Sequence, residues 1–262
     1  MGGSSGQKKG ASVIVDNLSF VYANDGKKVE ALREVSFSVE GGIYAVIGPS
    51  GCGKSTLLYI LAGLLAPVRG EVLINGERPV PGRRATSLIL QDYGLLPWKT
   101  VWDNAVLGLV IRRLPSREIL SRGEKVLREM GLWELRKHYP AELSGGQRQR
   151  VAIARSLATE PDLLLMDEPF SSLDALTRES FQEILREVAE SRGLTVVLVT
   201  HDIEEAAYLG RRVIVFTPRP GCVSGVYENP LAGSPGYRKT PEFYRFCTEL
   251  RSALEGERSG AG

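Results

Sequence analysis

The sequence predicts an α/β fold: a mostly parallel sheet, an antiparallel β region at the N-terminus and an all-helical segment inserted between the strands. Three observations predict it. Short apolar runs recur along the chain, as in IYAVIG, SLIL, DLLLMDEP, TVVLVTH and RRVIVF, and several stop at a Gly, Asp or His. Stretches of helical spacing separate them. Strands that are apolar throughout, alternating with helices, are what a parallel sheet covered on both faces requires.

Taken in order, residues 1–12 carry no apolar core and read as a flexible leader rather than a secretory signal. SVIVDNLSFVY and VSFSV are rich in β-branched and aromatic residues and read as strands. IYAVIG follows as a short buried strand ending on Gly48. Residues 54–65 have helical spacing, with Leu57, Leu58, Leu61 and Leu65 on one side. EVLI lies between turn signals at Pro67, Gly70 and NGE, and SLIL precedes Gln91. Near Trp98 the pattern turns helical: Thr100 and Asp103 stand as a capping pair, and Pro115-Ser116 opens a second helix that stops at Gly131. A helix begins at Ser144, another spans 174–192, and strands DLLLMDEP, TVVLVTH and RRVIVF complete the sheet. Beyond Pro218 the texture loosens until Phe243, Phe246, Cys247, Leu250 and Leu254 give a last helix one apolar face. GERSGAG at the end reads as disordered. The organisation expected is a core over 13–97 and 144–218, a helical subdomain over 98–143 and a C-terminal extension over 219–262.

Composition narrows the function classes. With 33 Lys and Arg against 31 Asp and Glu, the chain lacks the basic surplus of a nucleic-acid binder. LLYILAGLLAPV is too short to span a bilayer and reads as a buried helix. The three cysteines, Cys52, Cys222 and Cys247, are scattered, so neither a disulfide framework nor a metal cluster is expected.

The chemistry concentrates in VIGPSGCGKSTLL. Gly48, Gly53, Lys54 and Ser55 match G-x-x-x-x-G-K-[ST], with a strand before and a helix after, as a phosphate-binding P-loop requires. Glycines let backbone N–H groups turn inward, and the helix adds unpaired N–H groups and the positive end of its dipole. Lys54 supplies charge to the β- and γ-phosphates, and Ser55 an oxygen to Mg²⁺. The whole loop, Gly48, Pro49, Ser50, Gly51, Cys52, Gly53, Lys54, Ser55 and Thr56, is the candidate nucleotide cradle. Asp167 and Glu168 end a buried strand, where open α/β sheets bind ligands. Asp167 can hold Mg²⁺ through water, and Glu168 can act as general base on the attacking water. His201 ends the next strand and can orient that water. Gln91, also at a strand end, can offer its amide oxygen to Mg²⁺ or water. In LSGGQRQR, Ser144, Gly145 and Gly146 open a helix and make a second anion cradle, which suggests that ATP is closed over by a different subunit.

With these motifs in this order, residues 13–216 resemble the nucleotide-binding subunit of an ATP-binding-cassette (ABC) transporter, built on a P-loop NTPase core. GPSGCGKST matches Walker A, Gln91 the Q-loop, LSGGQ the signature, LLLMDEP Walker B, SSLD (171–174) the D-loop and His201 the switch histidine. The resemblance implies ATP and Mg²⁺ as ligands and a homodimer in which each ATP touches the Walker motifs of one chain and Ser144, Gly145, Gly146 and Gln147 of the other. It also puts Tyr22 where the family stacks an aromatic on adenine. LQDYGLLPWKTVWDNAVLGL and VFTPRPG are similar to importers of the nitrate, sulfonate, taurine and bicarbonate type. Such importers use a separate transmembrane permease and an extracytoplasmic solute-binding protein. The resemblance therefore implies an ATPase on the cytoplasmic face of the membrane, with the region from Gln91 into the helical insert as the permease dock. Gly42-Ile43 stands where the family usually has Gly-Glu, Ser172 where Ala is common, and 222–240 does not align. An ATP-gated regulatory module with little turnover is the alternative from another class, and the presence of both Glu168 and His201 argues against it.

Overall fold

The computed structural model describes residues 10–24, 27–171 and 173–259. In chain order the elements are β1 (Ser12–Asn24), β2 (Lys27–Glu40), β3 (Gly42–Ile47), α1 (Lys54–Leu61), β4 (Arg69–Ile74), β5 (Thr86–Ile89), α2 (Val101–Ala105), α3 (Leu107–Ile111), α4 (Ser116–Glu129), α5 (Gly145–Ala158), β6 (Leu163–Asp167), α6 (Ala175–Arg192), β7 (Thr195–Thr200), α7 (Ile203–Leu209), β8 (Arg212–Phe216), β9 (Val223–Glu228) and α8 (Pro241–Ser259).

Two sheets form. The smaller is antiparallel and ordered β2-β1-β4. The larger is ordered β5-β6-β7-β3-β8-β9, and every pairing in it is parallel except β8 with β9. Because side chains alternate along a strand, the parallel strands send apolar residues to both faces. On β3, Ile43, Ala45 and Ile47 join one core with α5, α6 and α7, while Tyr44 and Val46 join the other with α1 and the small sheet. On β7, Val196 and Leu198 face the first core, and Val197 and Val199 the second. Residues of α2, α3 and α4, including Val101, Ala105, Leu109, Val126 and Leu127, are buried in the first core. The helical segment is therefore packed continuously with the sheet.

The structure departs from the sequence reading at several points. Part of the segment read as flexible leader is built in: Ala11 is fully buried, its N–H donates to the Asp162 carbonyl at 3.1 Å, and Ser12 already pairs with Glu40. Residues 1–9 lie outside the described residues. The helix expected over 54–65 stops at Leu61. Gly63 turns there with φ +73°, the left-handed conformation that closes a helix, and the Leu64 N–H donates to the Tyr59 carbonyl at 2.8 Å; a Cβ on Gly63 would lie 2.5 Å from the Val80 carbonyl carbon. Leu65 still packs against the second core. The helical run after Thr100 bends at Val106, which lies so close to α4 that a Cβ on Gly123 would meet Val106 Cγ1 at 2.5 Å. Thr100 and Asp103 form their capping box, with the Asp103 N–H on Thr100 Oγ1 at 3.1 Å.

The loose stretch after Pro218 contains a strand. β9 adds to the sheet edge beside β8, and its alternating half-buried and exposed residues include Ser224 and Gly225, which mask the strand signal. The segment 256–262, expected to be disordered, continues α8 as far as Ser259, and 260–262 lie outside the described residues.

Candidate functional site

The register of the parallel sheet assembles the site. Ile47 pairs with Thr200 across β3 and β7, and Asp167 pairs with Val199 across β6 and β7. The loops leaving β3, β6 and β7 therefore emerge side by side, and the loop leaving β5 follows next to β6. Gln91, Asp167, Glu168, His201 and the Gly48 loop come to one edge, the carboxyl end of the strands, where such sheets bind ligands.

Glu168 is the hinge of this edge. Its backbone is left-handed, φ +44°, and its N–H donates to the Val199 carbonyl at 2.9 Å. A non-glycine residue held there is uncommon and marks a position that the surroundings over-determine. Both carboxylate oxygens are engaged. Gln91 Nε2 donates to Oε2 at 3.3 Å, and His201 Nδ1 lies 3.2 Å from Oε1. The sequence reading has the amide oxygen of Gln91 facing Mg²⁺ or water; here its amide nitrogen faces Glu168. Ser171 Oγ donates to the Glu168 carbonyl at 3.0 Å, and Ser172 lies outside the described residues. Arg178 ties the following turn to the His201 loop, donating to the Leu173 carbonyl at 3.1 Å and to Asp202 Oδ2 at 3.0 Å.

The phosphate loop is drawn tight on itself. Lys54 is buried, and its Nζ donates to the carbonyls of Gly48 at 2.8 Å and Pro49 at 3.0 Å. The glycines turn out to have different reasons. Gly51 has φ +75° and open space around its missing Cβ, as an inward-facing backbone cradle needs. Gly53, with φ +111°, is pressed against the chain itself: a Cβ would lie 2.6 Å from the Ala31 carbonyl oxygen. Gly48 is squeezed between Cys52 Sγ and Phe216, each 2.9 Å from where its Cβ would be. Burial pushes the Cys52 thiol up, which keeps it neutral.

Ser55 Oγ donates to Asp167 Oδ1 at 3.2 Å. Burial pushes the Asp167 carboxyl up, and Ser55 and Lys54 pull against that. A buried carboxylate beside a hydroxyl is a fitting oxygen pair for Mg²⁺, which takes few protein ligands and keeps water and phosphate. Among the described residues no group of three or more His, Cys, Asp or Glu could hold a metal ion.

Two cavities flank the loop. One, of about 230 Å³, is lined by Tyr22, Val29, Ala31, Lys54, Glu168 and Arg219 together with Ser50, Gly51, Gly53, Ser55 and Thr56. The other, of about 250 Å³, is lined by Gly48, Pro49, Ser50, His201 and Leu254. Tyr22 is pinned at this mouth by its hydroxyl, 3.2 Å from Thr56 Oγ1, and by an edge contact with Phe20 at 4.9 Å. A larger cavity, of about 690 Å³, opens at the opposite ends of the strands beside Gly42, Ile43 and Arg211 and contains none of these residues.

The signature residues stand apart. Ser144 caps α5 through a box with Gln147: the Gln147 N–H donates to Ser144 Oγ at 3.2 Å and the Ser144 N–H to Gln147 Oε1 at 2.9 Å. Gly146 packs on α6, where a Cβ would meet Thr177 Cγ2 at 2.9 Å. None of Ser144, Gly145, Gly146 and Gln147 lines either cavity at the phosphate loop. Ser144 and its glycines thus lie away from the phosphate loop of their own chain. Arg219, Val29 and Ala31 line the mouth although the sequence reading passed over them. The available signal was a cation in the turn directly after a strand that borders the P-loop strand.

Below His201 lies Glu205, almost fully buried. Its Oε2 accepts from Thr200 Oγ1 at 2.9 Å, and Oε1 has no hydrogen-bond partner among the described residues. Burial pushes this carboxyl up to about 8 from an ordinary 4.5; Asp202 and Glu168 push the same way, and Arg178 opposes them. The folded form therefore keeps a proton that the unfolded chain releases above 4.5. That contribution to stability is full below 4.5 and is lost as pH climbs to about 8. Glu205→Gln should flatten the fall in stability across this window. Urea unfolding from pH 5 to pH 8 measures it, and identical slopes in both proteins would refute the assignment.

Comparison with known proteins agrees with this geometry. The ABC transporter family matches residues 32–171. The taurine import ATP-binding protein TauB of Rhizobium johnstonii is 42% identical, over 92% of this chain and 95% of its own. The aliphatic sulfonates import ATP-binding protein SsuB of Bacillus cereus is 41% identical, over 84% and 87%. Among solved structures, a dimeric ATP-binding cassette in a post-hydrolysis state with ADP and Pi is 33% identical, with a TM-score of 0.74, covering 82% of this chain and 98% of that one.

Proposed function

The chain belongs to the ABC transporter family, and from that premise we propose that it is the ATP-binding and ATP-hydrolysing subunit of an importer for a small solute of the nitrate, sulfonate or taurine type. The observation that carries the proposal is Glu168, held between Gln91 and His201 on the edge that also carries Lys54 and Ser55.

In this reading ATP enters the mouth beside Tyr22, which supports the adenine. The backbone of residues 48–56 receives the phosphates, and Lys54 exchanges the Gly48 and Pro49 carbonyls for phosphate oxygen. Ser55 and Asp167 would hold Mg²⁺, and the ion would supply charge neutralisation at the phosphates. Glu168 takes the proton of the attacking water, and His201 fixes the direction of that carboxylate. The left-handed backbone at Glu168 sets this geometry before substrate arrives, so little reorganisation is left for the reaction itself.

The second cradle, Ser144 to Gln147, serves the ATP of a second copy, so that ATP closes a homodimer and hydrolysis reopens it. The expected organisation assigns nucleotide binding to 13–97 and 144–218. The helical subdomain over 98–143 docks on a transmembrane permease, and an extracytoplasmic solute-binding protein delivers the solute. No helix among the described residues is long and apolar enough to cross a membrane, which is consistent with a pathway supplied by that permease. The chain then works at the cytoplasmic face of the membrane.

Steady-state phosphate release by the purified chain, alone and reconstituted with its permease, tests the proposal. Mg²⁺-dependent hydrolysis is expected. Its absence in both preparations, with ATP still bound, would favour the ATP-gated module instead.

A further inference from the structure

The cavity of about 230 Å³ over the phosphate loop is lined by two sets of residues. In one, Lys54, Ser55 and the loop backbone already supply donors for phosphate. The other comes from the hairpin of β1 and β2 and from the turn after β8. Tyr22 pairs with Val29 across the hairpin, and Ala31 lies two residues further along β2. The turn is stitched to the same strand. The Gly221 N–H donates to the Ala31 carbonyl at 3.0 Å, and the Arg33 N–H donates to the Gly221 carbonyl at 3.0 Å. Gly221 also lies so close beneath the phosphate loop that a Cβ would be 2.2 Å from the Cys52 carbonyl oxygen. Thr217 closes the turn internally, its Oγ1 accepting from the Cys222 N–H at 3.0 Å. Contacts to β2 and to the phosphate loop thus hold the turn that carries Arg219, two residues before Gly221, at the cavity.

Arg219 is exposed at the rim, and among the described residues its guanidinium has no hydrogen-bond or ionic partner. Val29, Ala31 and the Tyr22 ring line the same cavity. An apolar and aromatic wall is a good setting for a flat ring. A guanidinium is planar, weakly hydrated and stacks on aromatic faces. We infer that Arg219 is the second wall of the base slot, stacking on the purine from the side opposite Tyr22. Nucleotide affinity then depends on the base end as well as on the phosphate loop. This rests on the reading that the cleft binds ATP.

Equilibrium binding of three probes, ATP, ADP and inorganic triphosphate, tests the inference. Arg219→Ala should weaken ATP and ADP by the same factor, about tenfold, and leave triphosphate unchanged. Arg219→Lys, which keeps the charge but not the plane, should recover only part of the loss. Lys54→Ala is the control and should weaken all three probes. Unchanged ATP affinity in Arg219→Ala, with Lys54→Ala defective, overturns the inference and leaves the function standing. Equal weakening of triphosphate also overturns it, by making Arg219 a phosphate cation. A wild-type chain that binds none of the probes overturns the ATP reading itself. Circular dichroism and urea unfolding of Arg219→Ala should match wild type; an unfolded variant passes the decision to Arg219→Lys, where full ATP affinity would overturn the stacking role.

Discussion

Glu168→Gln should lower ATP turnover by about a thousandfold while ATP binding is kept, the span expected of a general base that is removed without disturbing its site. Glutamine has the same shape and tolerates the φ of +44° no worse than glutamate, so the backbone bond to Val199 is retained. What is lost is the carboxylate proposed to accept a proton from water. Gln91 Nε2 and His201 Nδ1 now face an amide in place of a carboxylate, and rotating that amide can satisfy only part of the original pattern. Phosphate release under steady state and nucleotide binding at equilibrium separate the two consequences. A variant that hydrolyses at the wild-type rate would remove Glu168 from the mechanism. A variant that no longer binds ATP would make its role structural.

Ser144→Arg and Lys54→Ala should each abolish hydrolysis, and mixing the two purified variants should restore it. The reason is geometric. Ser144 caps α5 and lies outside both cavities at the phosphate loop, so an arginine there leaves its own chain's cradle intact. It obstructs the ATP of whichever chain it is paired with. Lys54→Ala does the reverse, damaging its own cradle and leaving its signature intact. A mixed pair then contains one composite site with wild-type Lys54 and wild-type Ser144, and one with both defects. With random pairing, half of the pairs are mixed and half of their sites are intact, so activity should return to about a quarter of wild type. A site completed within one chain would show no recovery on mixing. That result would remove the dimer from the mechanism whatever became of Glu168.

The legibility of the chain depended on the range of the interactions involved. The P-loop, the capping box of Thr100 with Asp103 and the serine cap at Ser144 are set by residues within a few positions of one another, so spacing alone reveals them. The strands of the sheet were legible because burial on both faces leaves continuous apolar runs. β9 was not, because an edge strand buries one face at most and this one carries Ser224 and Gly225. The stop of α1 at Leu61 did carry a local mark, Gly63 in the left-handed conformation, which helical spacing alone does not register.

The sequence by itself determined the fold class and the family, and it supplied the candidate residues for the chemistry, since each motif carries its own local geometry and the order of motifs follows the chain. The tertiary structure alone decided which of these residues meet. Parallel pairing of β6 with β7 and of β7 with β3 brings Glu168 to His201 and the phosphate loop to both. Contact with Ala31 and Phe216 leaves no room for a side chain at Gly53 and Gly48, and stitching of the Gly221 turn to β2 brings Arg219 to the cavity over the phosphate loop. These are contacts across tens or hundreds of residues. Their energy comes from burial and from backbone hydrogen bonds between strands, and neither leaves a mark in the spacing of the residues that end up side by side.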